Sequence, residues 1–294
     1  MTLVYEMCLQ MPITWTSLWR QYRNDTEFRG CSHSFALSFG IALISWHFGL
    51  VVALVALLTS IPFAFFSGRY FGQKPICAVQ ATLLGLVNGS SVALFSQWYG
   101  TPLALICSYF FIFSLFHFSE FFFTAISNRR SLQSDSFLLN HSKAYWVAAV
   151  ASWMEFFLEA YFTSFLKVYW ISLLGFLMCL CGETLRKLAM IHAGSGFTHR
   201  LALSKRPDHR LVTTGIYAYL RHPGYTGWFM WSIGTQVVLC NPICLCAYAY
   251  VSWHFFNERI YDEERDLINF FGQQYVNYRR DVWVGVPYVK GFES

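Results

Sequence analysis

The chain has 294 residues, of which 55% are hydrophobic, 20% aromatic and only 13% charged. A soluble domain carries about twice that charged share, so the composition excludes a water-soluble globule and indicates an all-α, polytopic helical membrane protein. The net charge of +5 is modest and lies in the connections, which suits a cytoplasmic leaflet surface rather than nucleic acid.

Residues 1–30 alternate aromatic and basic side chains (Trp15, Trp19, Arg20, Tyr22, Arg23) and read as an interfacial segment. Glu6, Pro12, Arg20, Arg23 and Asp25 precede any long apolar run, so no secretory signal is expected and the first span acts as its own insertion signal. The apolar run 34–66 would be about 50 Å long as one helix, against a hydrocarbon core of about 30 Å. It is either one strongly tilted span or two short ones turning near Trp46–Gly49.

Charge decides between them. Arg69 and Lys74 sit in the connection before a run at 76–96; the connection 97–101 to the next run, 103–126, is uncharged. Arg129, Arg130 and Lys143 follow, then runs at 144–163 and 168–185. Arg186 and Lys187 open a polar segment rich in Lys and Arg, and the last two spans, 224–240 and 243–258, turn at Asn241-Pro242. Basic connections alternate with nearly uncharged ones, as the positive-inside rule requires. Arg20 and Arg23 fit the same side only if 34–66 crosses twice. The expectation is eight spans with both termini cytosolic, seven being the alternative. The chain divides into an N-terminal bundle of about six spans (1–185) and a region (186–294) of cytosolic loop, helix hairpin 224–258 and cytosolic tail.

Most of the nine cysteines lie in apolar runs without C-x-x-C or zinc-type spacing, so they read as small buried hydrophobes and no metal is implied. Within membrane-depth stretches His47, His117, Glu120, Glu155 and Glu159 stand out, because charge there is costly and faces an interior or a cavity. For the stretch around His117 and Glu120, an inter-helix hydrogen bond fixing the bundle competes with a role in substrate access. The G-x-G at 194–196 lacks the third glycine and the preceding strand of a dinucleotide site.

Chemistry concentrates at Arg221-His222-Pro223-Gly224-Tyr225. Pro223 biases His222 away from helical geometry and is tolerated in a first turn, so a helix is expected to start there, its free N–H groups beside a cation and an imidazole. Such a mouth suits a small ligand's carboxylate; it also reads as a basic boundary turn anchoring the next span. The short turn at Asn241-Pro242 makes the flanking helices antiparallel neighbours, which returns Arg259 and Glu263, i and i+4 on one face, to the level of residues 221–225. That charge is either a solvated helix face or a cation and carboxylate lining a pocket.

From about Cys181 to Lys290 the chain resembles the isoprenylcysteine carboxyl methyltransferases. The matching text is Gly182-Glu183-Thr184-Leu185-Arg186-Lys187, Leu211-Val212-Thr213-Thr214-Gly215-Ile216-Tyr217, RHPGYTGWFMWSIGTQVVLCNPIC at 221–244, Phe255-Phe256 with Arg259 and Glu263-Glu264, Phe270-Phe271-Gly272 with Tyr275, and Gly285-Val286-Pro287-Tyr288. The resemblance implies an endoplasmic-reticulum membrane enzyme, its active site facing the cytosol. It would use S-adenosyl-L-methionine to methylate the free α-carboxylate of a C-terminal cysteine carrying a farnesyl or geranylgeranyl group, in CaaX-processed proteins. On matching positions Ala202, His209, Arg210, Leu211, Val212, Tyr217, His222, Pro223, Gly224 and Tyr225 would surround the cofactor, while Arg259 and Glu263 would serve the substrate and the chemistry. Competing readings are a membrane methyltransferase acting on a lipid amine, a sterol reductase, and a non-enzymatic small transporter. An amine would not want Arg259 at the attack site, a reductase needs a larger dinucleotide pocket, and a transporter needs paired halves or broken helices.

Overall fold

The computed structural model describes residues 14–139, 142–199 and 210–292. Among them a short amphipathic helix, α1 (Trp15–Asn24), leaves Trp15 and Trp19 exposed. Asp25 then caps α2 (Thr26–Ser45), its side chain accepting from the Phe28 N–H at 3.1 Å. A 3-10 turn, Trp46–Phe48, and Gly49 at φ 104 reverse the chain into α3 (Leu50–Tyr70). Only glycine adopts that backbone cheaply. The 34–66 run is therefore two helices, turning where the sequence suggested.

Next come α4 (Pro75–Gln97), α5 (Leu103–Ser127), α6 (Lys143–Phe162) and α7 (Tyr169–Ala193), then α8 (Pro223–Leu239), α9 (Pro242–Phe271) and α10 (Gln273–Asp281). Proline opens α4, α8 and α9, where its missing N–H is no loss. Among the described residues the only β-type pairing is one parallel bridge, Leu220 with Trp283. By length and composition α3, α4 and α5 can cross a membrane. Other helices also turn apolar side chains outward: Val147, Met154 and Leu158 on α6, Leu173, Leu174 and Leu177 on α7, Ile243 and Val251 on α9. So much exposed apolar surface suits lipid, not water.

α7 runs unbroken past residue 185, and Arg186 and Lys187 are buried within it instead of opening a loop. α9 likewise continues thirteen residues past 258, about 20 Å of helix. α7 and α8 pack backbone to backbone: a Cβ added at Gly182 would lie 2.5 Å from the Gly227 carbonyl oxygen, and one at Gly227 would strike Gly182 in return. Small residues at such crossings let helices gain close van der Waals contact. A core around Phe116, Phe156, Trp231 and Leu239 joins α5, α6 and α8.

Three of the ionisable residues singled out above resolve as fixtures of the bundle. Glu155 accepts from the Ile243 and Cys244 N–H groups, both at 2.7 Å, at the start of α9. Lys167 pairs with Glu159 at 2.7 Å and donates to the Leu239 and Cys240 carbonyls, 2.9 and 3.2 Å, at the end of α8. An anion meets the positive helix end and a cation the negative one, so the α8–α9 hairpin is clamped at its turn. His117 lies 2.8 Å from the Phe137 carbonyl oxygen through Nδ1 and 2.8 Å from the Tyr145 hydroxyl through Nε2, which is the inter-helix bond among the readings above. His47 is exposed beside the Gly49 turn and not buried at membrane depth; the turn carries it out of the packed interior.

Gly182→Ala should lower the stability of the purified protein by about 1–3 kcal/mol or more, because backbone sits where the methyl must go. Gly40→Ala, with nothing within 4 Å of the added carbon, is the control and should leave the melting temperature unchanged or raised. A melting curve for each variant in one detergent checks this.

Candidate active site

The segment before α8 is held from the C-terminal side. Arg221 N–H donates to the Trp283 carbonyl at 2.8 Å and His222 N–H to the Val284 carbonyl at 3.2 Å. Val284, Val286 and Val289 are buried against Phe256 and Ile260 of α9, and Trp253 Nε1 donates to the Pro287 carbonyl at 2.9 Å. The tail is thus an apolar strap across α9 that fixes where the mouth of α8 points.

At that mouth the His222 ring is buried and stacks on Tyr225, centroids 5.7 Å apart and planes 12° from parallel. Arg259, arriving on α9, donates from Nε to the Tyr225 hydroxyl at 3.1 Å and from Nη2 to the His199 carbonyl at 2.8 Å. Its guanidinium carbon stands 5.8 Å from the Tyr225 ring centroid. Among the described residues these bonds use two of the five guanidinium N–H donors, which leaves a fork able to grip a carboxylate. Glu263 lies one turn on, with Oε2 3.9 Å from His222 Nδ1. That oxygen is buried and, among the described residues, accepts no hydrogen bond. A carboxylate so placed suits a cation.

Glu264, the neighbour of Glu263, is fully buried. Its Oε1 is 3.2 Å from His222 Nε2 and 3.3 Å from Arg221 Nε, and its Oε2 accepts from the Phe292 N–H at 3.0 Å. Burial alone would raise this carboxyl's pKa. The His222 hydrogen bond and charge, Arg221 and the Phe292 amide outweigh it and hold the pKa below its ordinary value of 4.5. Tyr275 is pushed the other way, up, by burial first and by the Glu264 charge beside it.

A second charged cluster lies under the mouth. Arg186 grips Glu120 with Nε at 2.6 Å and Nη2 at 2.8 Å, and donates from Nη1 to the Gly224 carbonyl at 3.1 Å. Lys187 also pairs with Glu120, and lies 3.4 Å from Glu183, which accepts from Ser119. Trp228 and Phe197 flank the guanidinium, 4.8 and 5.5 Å from its carbon.

The structure therefore brings His222, Pro223, Gly224, Tyr225, Arg259 and Glu263 together. Tyr217 lies in the 3-10 turn Gly215–Ala218 ahead of α8, its carbonyl accepting from the Tyr278 hydroxyl at 2.6 Å. Leu211 and Val212 are half-buried in the chain leading to the Gly215 turn, and Arg210 is exposed. Ala202 and His209 lie outside the described residues. Sequence reasoning did not single out Glu264, Arg186 or His199 for the site. Glu264 had a signal, since it continues the stripe of Phe256 and Ile260 at i+8 and i+4, the face that α9 buries. Arg186 had one too, four residues past Gly182 and so on the α7 face that meets α8.

Residues 173–269 match the family model described as the isoprenylcysteine carboxyl methyltransferase (ICMT) family. The chain is 41% identical over 274 residues to the Tribolium castaneum protein-S-isoprenylcysteine O-methyltransferase, covering 91% of this chain and 96% of that one. To the Homo sapiens protein of the same name it is 50% identical over 223 residues, 73% and 75% of the two chains. Its fold superposes on a solved structure of the eukaryotic intramembrane Ras methyltransferase ICMT without a monobody, with TM-score 0.84, 40% identity, and 91% and 99% coverage.

Because the folded-state pKa of Glu264 lies below its unfolded value, its stabilising contribution is complete above pH 4.5 and is lost as pH falls through the lower folded value. Glu264→Gln should remove that part of the acid-side slope and, at neutral pH, cost about 3–5 kcal/mol, since the buried Arg221 side chain loses its anionic partner. Melting temperatures of both proteins at pH 7 and pH 4 measure this; the gap between them should narrow at the lower pH.

Proposed function

The chain belongs to the isoprenylcysteine carboxyl methyltransferase family, and on that premise we propose how its residues divide the work. The enzyme is a multi-pass membrane protein that methylates the α-carboxylate of a C-terminal prenylated cysteine. S-adenosyl-L-methionine supplies the methyl group from its sulfonium.

An α-carboxylate has a pKa of about 3.3–3.7 and is ionised at neutral pH. It needs no general base. The protein must orient it in line with the methyl and keep water out. The observation that carries the assignment is the Arg259 guanidinium, oriented by Tyr225 and His199 beside the mouth of α8, with donors still free among the described residues. Arg259 binds the carboxylate. Because that carboxylate loses charge on the way to the transition state, too strong a grip would favour the ground state. Tyr225 and the His199 carbonyl, by sharing the guanidinium, moderate it. Glu263 would answer the cofactor's positive charge; its buried Oε2, which accepts no hydrogen bond among the described residues, fits a cation and not an anion. The cofactor-contacting set is Ala202, His209, Arg210, Leu211, Val212, Tyr217, His222, Pro223, Gly224 and Tyr225.

We further propose that α2 through α9 make eight spans with both termini and the site on the cytosolic side of the endoplasmic reticulum membrane. The outward apolar faces of α6, α7 and α9 and the alternation of basic with uncharged connections support this. Residues 1–185 then form the bundle that admits the prenyl chain from lipid, and 186–294 carry the chemistry.

Arg259→Lys keeps the charge but loses the planar fork. It should lower kcat/KM by about a hundredfold, as misplacement of one reactant does. Purified protein, labelled S-adenosyl-L-methionine and a farnesylated cysteine analogue provide the assay, read as base-labile methyl ester. Wild-type turnover by the variant would remove Arg259 from the mechanism.

A further inference from the structure

The cluster beneath the mouth has a charge balance that bears on its purpose. Arg186 and Lys187 are opposed by Glu120 and Glu183, so the formal charges of these four cancel among themselves. A buried ion pair is weak evidence for stability by itself, because desolvation offsets much of the Coulombic gain. What these residues supply is geometry, and their contacts lead to both sides of the proposed site.

One path starts at Glu120, whose two oxygens hold Nε and Nη2 of Arg186 and so leave Nη1 aimed at the Gly224 carbonyl. That bond fixes the plane of the peptide following Gly224, in the first turn of α8. The other path runs through His199. Its ring lies against α5 side chains, Nε2 within hydrogen-bond reach of the Thr124 hydroxyl at 3.2 Å and Nδ1 3.7 Å from Glu120 Oε2, an electrostatic contact beyond hydrogen-bond length. Its backbone carbonyl accepts from Arg259 Nη2 at 2.8 Å. Glu120 and Thr124 are i and i+4 on α5, so one helix face supports the residue that orients the guanidinium.

We propose that Glu120 is a positioning residue for methyl transfer: through Arg186 it sets the Gly224 peptide on the cofactor side, and through His199 it sets Arg259 on the carboxylate side. This rests on the site assignment above and deepens it. Glu120 touches neither reactant. It links two elements that arrive from opposite ends of the sequence, the α8 mouth and α9, to a single anchor on α5.

The test uses the full-length protein in lipid nanodiscs, with cofactor affinity measured by equilibrium binding of labelled S-adenosyl-L-methionine and KM by turnover of the farnesylated cysteine analogue. Glu120→Gln, which keeps the shape and loses the charge, should lower kcat/KM by about a hundredfold, weaken cofactor binding and raise KM together. Glu120→Asp should recover part of each. Thr124→Val spares the ion pair and loosens only the His199 ring; it should raise KM by about two- to tenfold, one neutral hydrogen bond's worth, with cofactor affinity unchanged. If Glu120→Gln lowers only the yield of folded protein while its KM and cofactor affinity stay at wild-type values, Glu120 is a packing residue and the proposal is overturned. If Glu120→Gln does not fold, an unchanged KM in Thr124→Val overturns the His199 path. Full activity in Arg259→Lys overturns that path together with the site assignment. Unchanged cofactor affinity in Glu120→Gln overturns the Gly224 path alone.

Discussion

A carboxylate carried into an apolar bundle must be met by charge and by hydrogen bonds, or burial drives it to take up a proton. Glu120 is met by both. Arg186 reaches it from α7, 66 residues away in the chain, with two nearly parallel N–H donors, and Lys187 adds a second cation. Satisfying that one acid draws α5 and α7 together. Since Arg186 also donates from Nη1 to the Gly224 carbonyl, the start of α8 is tied to the same point. The close crossing at Gly182 and Gly227 runs alongside this tie: the glycines let the backbones approach, and the ion pair sets how they are aligned.

The same reasoning accounts for the far end of the hairpin. A helix that ends in a bundle leaves carbonyls without partners, and one that begins there leaves amides without them. Lys167 answers the first need and Glu155 the second. The α8–α9 pair is therefore held by charge at its turn and by the Glu120 and Glu264 clusters at its open end. Arg259 lies on a segment restrained at both ends, and a guanidinium that must present a planar fork gains from such restraint.

The tail contributes through burial instead of charge. Val284, Val286 and Val289 bury against α9, and the Trp283 and Val284 carbonyls accept from the Arg221 and His222 N–H groups. A stretch that looks like a terminal appendage thus sets the entry angle of the chain into α8, and Glu264 fastens the same segment from the other side through Phe292, His222 and Arg221.

Much of this was legible in the residues. Apolar run lengths and the alternation of basic connections located the helices, and Pro223 announced the start of α8, because these are local consequences of hydrophobicity, peptide geometry and length. The antiparallel return of α9 follows from the shortness of its turn, which is why the sequence itself places Arg259 and Glu263 opposite His222. What was not legible concerned partners distant in the chain. Arg186 and Lys187 looked like the opening of a loop, since charge is expected to seek water; Glu183 is a local i,i+4 partner of Lys187, but only the fold brings Glu120 to both. Glu155 and Glu159 could be marked as costly but not explained, because the helix ends and the lysine that justify them meet only in three dimensions. Sequence alone determined where helices form and which chemistry-bearing residues share a level; the tertiary structure decided which charge faces which, because Coulombic pairing and desolvation depend on distances through space that chain order does not encode.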